Sequence, residues 1–435
     1  MKSIAFYTLG CKVNQADTAS MEQMFHKAGY AIVDFSEEAQ IYVINTCVVT
    51  NMGQSKSRKI IHRAVRQNPQ ALIVVTGCYP QTSPEEVAAI PGVDLLVGNQ
   101  DRQKLLQLVE EARNRKIPQA ANLVHPLTKD TVFDDLEAGV GQGKNRAFLK
   151  IQEGCNQFCT YCIIPYARGP LRSRPLASIT KEVEQLVADG YQEVVLLGIH
   201  LGCYGKEIVG GPRLVEAVKA ALAVEGLQRL RLGSLESIEV DDELLDLMLI
   251  DSRLCRHLHL PLQAGSDKTL KAMHRPYDTA KFKQLLQDIR AKIPEIAITT
   301  DLIVGFPGED EQDFVQSLAY AKECEFSKIH LFPYSKRQGT PAAVMPLQVP
   351  ETVKQQRMLQ AEKIDSLCHE AFVQQLLHKE VPVLWELKNK DNLWEGFTST
   401  YVRIYADSNE NLAGKIMPVK TEKCYEEGLF GSIIE

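Results

Sequence analysis

The sequence predicts an α/β chain in three parts: an N-terminal parallel α/β domain, a central partial barrel of six βα units, and a small C-terminal all-β barrel. Three observations point there. Short apolar runs alternate with polar–apolar stretches of helical length through most of the chain, the pattern of a parallel sheet with helices on its faces. A polar, Gly-rich stretch, DDLEAGVGQGKNR (134–146), interrupts that alternation and reads as a linker. After residue 380 the alternation gives way to β-branched and aromatic residues punctuated by glycine.

In chain order, IAFYT (4–8), IYVIN (41–45), LIVVT (72–76) and DLLVG (94–98) are the first strands, with helical stretches such as 17–29 and 53–67 between them. Beyond the linker come AFLKI (147–151), EVVLLG (193–198), RLRLG (229–233), LHLPL (258–262), IAITTDLIVG (296–305) and KIHLFP (328–333). Helices are expected at 178–189, 212–223, 279–291 and 353–377. Six units suggest an open barrel rather than a closed eight-fold one. The expected division is 1–133, the linker 134–146, 147–370 and 371–435.

Bulk properties narrow the class. A chain of 435 residues exceeds one ordinary core and suggests two or three domains. Hydrophobic residues at 45% and charged residues at 24% describe an ordinary globular composition. No apolar run reaches the roughly 18 residues of a membrane span, and the N-terminus lacks a secretory pattern, so a cytoplasmic protein without a membrane partner is expected. Eleven cysteines in that compartment favour metal binding or catalysis over disulfides.

GCNQFCTYC (154–162) holds Cys155, Cys159 and Cys162 in a C-x3-C-x2-C loop just after the first strand of the central region. Thiolates suit zinc or iron–sulfur clusters. A [4Fe–4S] cluster ordinarily takes four cysteines, so three leave one iron open to a small molecule. The loop also lies where barrel active sites form, at the C-terminal end of a strand. Structural zinc completed by a distant cysteine or histidine is the alternative. Three further cysteines share one offset: Cys11, Cys47 and Cys78 each stand just past a predicted strand. In a parallel sheet those positions fall on one edge, where residues distant in sequence can converge on a ligand. Unrelated buried core cysteines would look the same.

The cysteine loop resembles that of the radical S-adenosylmethionine enzymes. TLGCKVNQADT, NTCVVTN, TGCYPQ and EGCNQFCTYCIIPYARGPLRSR, with SLES, HLHLPLQAGSD, DLIVGFPGE and FPYSKRQGTPAA, resemble the methylthiotransferases along nearly the whole chain. The resemblance implies two [4Fe–4S] clusters, one on Cys155, Cys159 and Cys162 that cleaves S-adenosylmethionine, and one on Cys11, Cys47 and Cys78 that carries the sulfur to be inserted. It implies two S-adenosylmethionine per product, one giving a methyl group and one a radical, with an external electron donor and a sulfur donor. The C-terminal barrel resembles a TRAM domain, an RNA-binding module. Three branches of the family modify isopentenyladenosine in tRNA, a ribosomal-protein aspartate, or N6-threonylcarbamoyladenosine at position 37 in the tRNA anticodon loop. The motifs look most like the third, although Ala16 stands where an acidic residue is expected and Pro80 where a small one is. A monomer is expected.

Strand ends of the central region supply candidate S-adenosylmethionine contacts: Gly198, His200, Ser234, Glu236, Gln263, Ser266, Gly305 and Gly308. Cys203, near the same face, and Cys255, Cys324, Cys368 and Cys424 read as structural thiols. The net charge of −6 argues weakly against nucleic acid, but positive charge is clustered. Residues 39–84 contain no acid, and Lys56, Lys59, Arg63 and Arg66 share one helical face. Arg168, Arg172 and Arg174 lie in a second acid-free stretch, 154–181. Both sets are candidate phosphate contacts. The C-terminal barrel holds more acid than base, and its Trp394, Phe397 and Tyr401 are either base-stacking residues or its own core.

Overall fold

The computed structural model describes residues 2–114, 121–139 and 145–434. The first unit is a six-stranded, wholly parallel sheet of β1 (Ser3–Thr8), β2 (Ala31–Val33), β3 (Ile41–Thr46), β4 (Leu72–Gly77), β5 (Leu95–Val97) and β6 (Ala121–Leu123), in the order 2-1-3-4-5-6. Its central strand β3 is buried at every position, as a strand covered on both faces must be. Helix α1 (Lys12–Lys27) follows β1, α2 (Asn51–Gln67) follows β3 and the short α3 (Cys78–Thr82) follows β4. Thr50 starts α2 by accepting the Gly53 N–H at 3.0 Å, supplying one of the partners a helix start lacks. Of the expected linker, 140–144 lie outside the described residues. The part before them packs down, with Leu136 and Ala138 buried.

The central unit holds β7 (Arg146–Lys150), a two-residue antiparallel pair β8 (Gln152–Glu153) and β9 (Arg172–Ser173), then β10 (Glu193–Leu197), β11 (Arg229–Leu232), β12 (His257–His259), β13 (Ala297–Val304) and β14 (Lys328–Pro333). The six long-range strands are parallel and ordered 7-10-11 and 12-13-14. Single bridges, Leu230 to Leu254 and Ser234 to His259, join the halves. The result is the expected open barrel. Its missing side is filled by α1, whose Val13 and Ala16 pack on Val195 and Leu197, with Phe148 alongside.

A helix Glu351–Gln374 packs along β14 and runs through the expected boundary at 370; Phe372 and Val373 at its end enter the core of the C-terminal unit. That unit is a closed barrel of β15 (Glu380–Lys388), β16 (Trp394–Thr398), β17 (Arg403–Ala406), β18 (Ile416–Tyr425) and β19 (Gly428–Ile433), in the order 15-16-17-19-18. Trp385 and Trp394 belong to its core. Arg229 and Arg231 of β11 donate to the carbonyls of Pro382, Phe397, Thr398 and Ser399, which seals this barrel against the strand beginnings of the central one. No helix among the described residues is long and apolar enough to cross a membrane.

Candidate active site

Cys11, Cys47 and Cys78 do converge. Each stands where a strand ends: Cys11 caps α1, Cys47 follows β3 and Cys78 opens α3. The approach depends on Gly10, held at φ +104°. A Cβ there would lie 2.9 Å from Cys47 Cβ and 3.1 Å from its sulfur. Burial pushes the Cys47 thiol up to about 11, and Cys78 and Cys11 beside it add to the effect.

The second triad sits on the loop between β8 and the helix Ile164–Arg168. Gly154, at φ +78°, turns the chain into it; a Cβ there would lie 1.8 Å from the Pro170 carbonyl oxygen. The Cys155 N–H donates to Gly169 O at 3.0 Å and the Cys162 N–H to Cys159 O at 2.9 Å. Burial pushes the Cys162 thiol up to about 12, with Cys159 and Cys155 adding to it. Arg275 donates to Cys159 Sγ at 3.2 Å and pairs with Glu236. His200 Nδ1 lies 3.4 Å from Cys155 Sγ, and its Nε2 is 2.9 Å from Glu239. Burial would lower the His200 imidazole, but contacts with Cys155, Cys203 and Glu239 outweigh it and push it up to about 12.

Thiols that resist ionising side by side are suited to a cationic partner that replaces their protons. Three thiolates on one zinc ion would lie about 4 Å apart. Among the described residues, the set of three ligating atoms found within 4.8 Å of one another is His200, Cys203 and Glu239, and neither cysteine triad closes to that spacing. The donor chemistry and the wider spacing fit an iron–sulfur cluster in each triad.

The two triads share a wall. Cys78 packs with Val48, Ala167 and Ile163, the last being the residue after Cys162. Arg168 spans the boundary: Nε donates to Cys78 Sγ at 3.3 Å, while Nη1 reaches Asp17 at 3.1 Å and Glu153 at 3.0 Å. Asp17 also holds Arg102 at 2.7 Å and Lys150 at 2.5 Å, all of them buried. A cleft of about 860 Å³ opens beside this wall, lined by Asn51, Gln54, Gln81 and Glu86 from the first unit and by Ile163, Tyr166, Arg337 and Gly339 from the central one. Arg337 closes its end by donating to Asn51 at 2.7 Å and Gln54 at 3.0 Å.

Of the residues expected at S-adenosylmethionine, His200 lies against Cys155 and Glu236 pairs with Arg275, which bonds Cys159; Gln152 Oε1 accepts the His200 N–H at 2.7 Å and would meet a Cβ on Gly198 at 2.8 Å. Ser234 is exposed and pairs through its backbone with His259. The others differ. Ser266 is buried and its hydroxyl donates to Asp313 at 2.9 Å, fixing the following helix. The space beside Gly305 holds the stem of Lys354, 2.2 Å from where a Cβ would stand. Gly308 donates its N–H to Leu347 O in a turn. Gln263, at φ +69°, is buried and bridges to β13 through its backbone.

Lys56, Lys59, Arg63 and Arg66 are exposed on α2 as expected. Arg168, Arg172 and Arg174 are not phosphate contacts: all three are buried, and their guanidinium groups are taken by Asp17 and Glu153, by Pro170 O and Arg168 O, and by Lys150 O, Leu136 O and Asp135. Phe397 and Tyr401 are half-buried under Arg146, 5.0 and 5.2 Å from its guanidinium, rather than free to stack on bases. Arg275, Asn99, Glu239 and Arg337 were missed. Charged residues directly beside cysteine motifs, as in KIQEGC and GCKVNQAD, were the available signal for the Lys150, Glu153 and Asp17 network.

Comparisons with known proteins agree with this architecture. Residues 149–321 match the Radical SAM superfamily and residues 3–98 match a family described as uncharacterized protein family UPF0004. The chain is thus a radical S-adenosylmethionine enzyme, a class that uses a [4Fe–4S] cluster and S-adenosylmethionine. It is 42% identical to the threonylcarbamoyladenosine tRNA methylthiotransferase MtaB of Bacillus subtilis, over 100% of this chain and 98% of that one. It is 36% identical to the tRNA-2-methylthio-N(6)-dimethylallyladenosine synthase of Carboxydothermus hydrogenoformans, over 96% of each chain. Among solved structures, the radical S-adenosylmethionine methyltransferase TsrM of Kitasatospora setae shares the fold at a TM-score of 0.59 and 16% identity, over 79% of this chain and 77% of that one. The chain belongs to the radical S-adenosylmethionine methylthiotransferase family and is a transferase.

Proposed function

We propose that the chain is a tRNA methylthiotransferase that replaces C2–H of N6-threonylcarbamoyladenosine at position 37 by C2–SCH3. In this reading Cys155, Cys159 and Cys162 hold one [4Fe–4S] cluster, Cys11, Cys47 and Cys78 hold a second, and two S-adenosylmethionine are used per product. The observation that carries it is the approach of two thiol triads, each wider than a single-ion site, to one shared wall. When bound, the clusters supply reductive cleavage of S-adenosylmethionine and the sulfur that is inserted. The chain's own residues do the positioning. Arg168 and Asn99 donate toward Cys78 and Arg275 toward Cys159, steadying thiolate charge. Gly198, His200, Ser234 and Glu236 surround the face where S-adenosylmethionine would lie.

The exposed basic face of α2, the helix that also lends Asn51 and Gln54 to the cleft, is suited to anticodon-loop phosphates. The enzyme works as a cytoplasmic monomer, with electrons and sulfur from external donors. Its domains are 1–133, 147–370 and 371–435, with 134–146 between the first two. The threonylcarbamoyl branch is favoured by the 42% identity to the Bacillus subtilis relative. The test is an anaerobic assay of reconstituted enzyme with dithionite, S-adenosylmethionine and tRNA bearing either threonylcarbamoyladenosine or isopentenyladenosine, read by nucleoside mass spectrometry. Methylthio product from the first tRNA alone is expected; product from the second alone would overturn the branch.

A further inference from the structure

The half-barrel of β12–β14 turns a polar inner face toward α1. Side chains alternate along a strand, so His257 and His259, Thr299 and Asp301, and His330 and Phe332 share that side. The contacts agree. His259 bonds Thr299 at 2.9 Å and Asp301 at 3.3 Å, His257 bonds Thr299 at 3.2 Å, and the His259 and His330 rings lie 5.5 Å apart. His330 and Phe332 are exposed, so this part of the lumen is open.

Lys12, the residue after Cys11, extends into this lumen. Its Nζ stands 5.4 Å from the Tyr401 ring, which stacks on His257 at 5.1 Å. The side chain is exposed, and among the described residues no carboxylate pairs with it. The nearby acids are already engaged: Asp301 by His259, Glu193 by Arg229 and Arg231, and Glu386 by Arg146. The field is correspondingly positive. Burial would raise the Tyr401 phenol, yet Lys12, Arg146 and Arg231 hold it below its ordinary value. An exposed cation that rests on an aromatic ring, has no carboxylate partner and follows a residue of the triad is a place for an anionic group of the substrate.

We infer that Lys12 is a specificity-determining residue, its ammonium pairing with the carboxylate on the N6 substituent of the target adenosine. This rests on the tRNA reading above. A base held with C2 toward the Cys11 triad carries its N6 arm close to the residue that follows Cys11. An apolar N6 substituent would leave the Lys12 charge unpaired, which gives discrimination by loss of a partner.

The test measures anaerobic binding of reconstituted enzyme to one tRNA prepared with and without the threonylcarbamoyl group, for wild type, Lys12→Met and Lys12→Arg. Iron content and melting temperature serve as controls for folding. Wild type is expected to prefer the modified tRNA by about tenfold. Lys12→Met should bind both forms alike, at the wild-type affinity for the unmodified one, and Lys12→Arg should keep most of the preference. A preference that survives in Lys12→Met overturns the inference alone. Equal weakening of both tRNAs with a shallower salt dependence would make Lys12 a phosphate contact and overturn it. Weaker S-adenosylmethionine binding with tRNA affinities unchanged would assign Lys12 to that cofactor's carboxylate and overturn it too. A wild-type enzyme without preference or product on the modified tRNA overturns the substrate reading and the inference together.

Discussion

Gly10 shows how single positions set the chemistry. Its φ of +104° disfavours any side chain, and its missing Cβ leaves room for the Cys47 sulfur. Gly10→Ala combines backbone strain of about 1–3 kcal/mol with a contact that must give way. It is expected to remove the iron held by the first triad while leaving that of the cysteine loop, so iron per chain falls by about half and S-adenosylmethionine cleavage persists. Iron and sulfide analysis beside a deoxyadenosine assay checks this. The six cysteines were legible in the sequence because two regularities, one short spacing and one shared strand-end offset, survive without a structure. Arg168, Arg172 and Arg174 were misread because an acid-free stretch looks like a surface. Arg168 and Arg174 meet Asp17 and Asp135 from outside that stretch and Arg172 takes two carbonyls, so the stretch itself gives no sign of their burial.

At the scale of elements, α2 divides its work between faces. Ile61 and Ala64 are buried against the sheet, while Lys56, Lys59, Arg63 and Arg66 face outward. Charge reversal at Arg63 and Arg66 should weaken tRNA binding by about tenfold or more and flatten its salt dependence, without lowering the melting temperature. Binding titrations across a salt series measure this. The longer strands were recognisable from their apolar runs, and α2 from its periodicity. The three-residue edge strands β2 and β6 were not; β5, equally short, was recognisable from the buried apolar run LLV, whereas β2 and β6 are only partly buried. β12 ends at His259 rather than 262, since Pro261 offers no N–H to a ladder and Gln263 turns to positive φ. The helix Glu351–Gln374 overruns the expected boundary because its last turn serves the core of the next unit.

At the scale of the whole molecule, the first and central units are joined by buried charge. Asp17 faces Arg102, Lys150 and Arg168. Burial alone would raise its carboxyl, but the three cations outweigh that and hold it well below the usual carboxylate range. Asp17→Asn leaves those cations short of an anion and should cost about 3–5 kcal/mol, seen as a lower melting temperature. Because the folded value is depressed, the stabilisation is complete above about pH 4 and is lost as pH falls toward the folded value. Wild-type melting temperature should therefore drop below about pH 4, and more steeply than that of Asp17→Asn. The same junction brings the two triads to one wall, and the central claim is that they divide the labour. The most direct measurement replaces Cys11, Cys47 and Cys78 by alanine, then follows deoxyadenosine and methylthio nucleoside together in the anaerobic assay. The account expects deoxyadenosine to form at near wild-type rate with no methylthio product. Loss of S-adenosylmethionine cleavage in a folded variant that keeps its cysteine-loop iron, or methylthio product without the first triad, would contradict it.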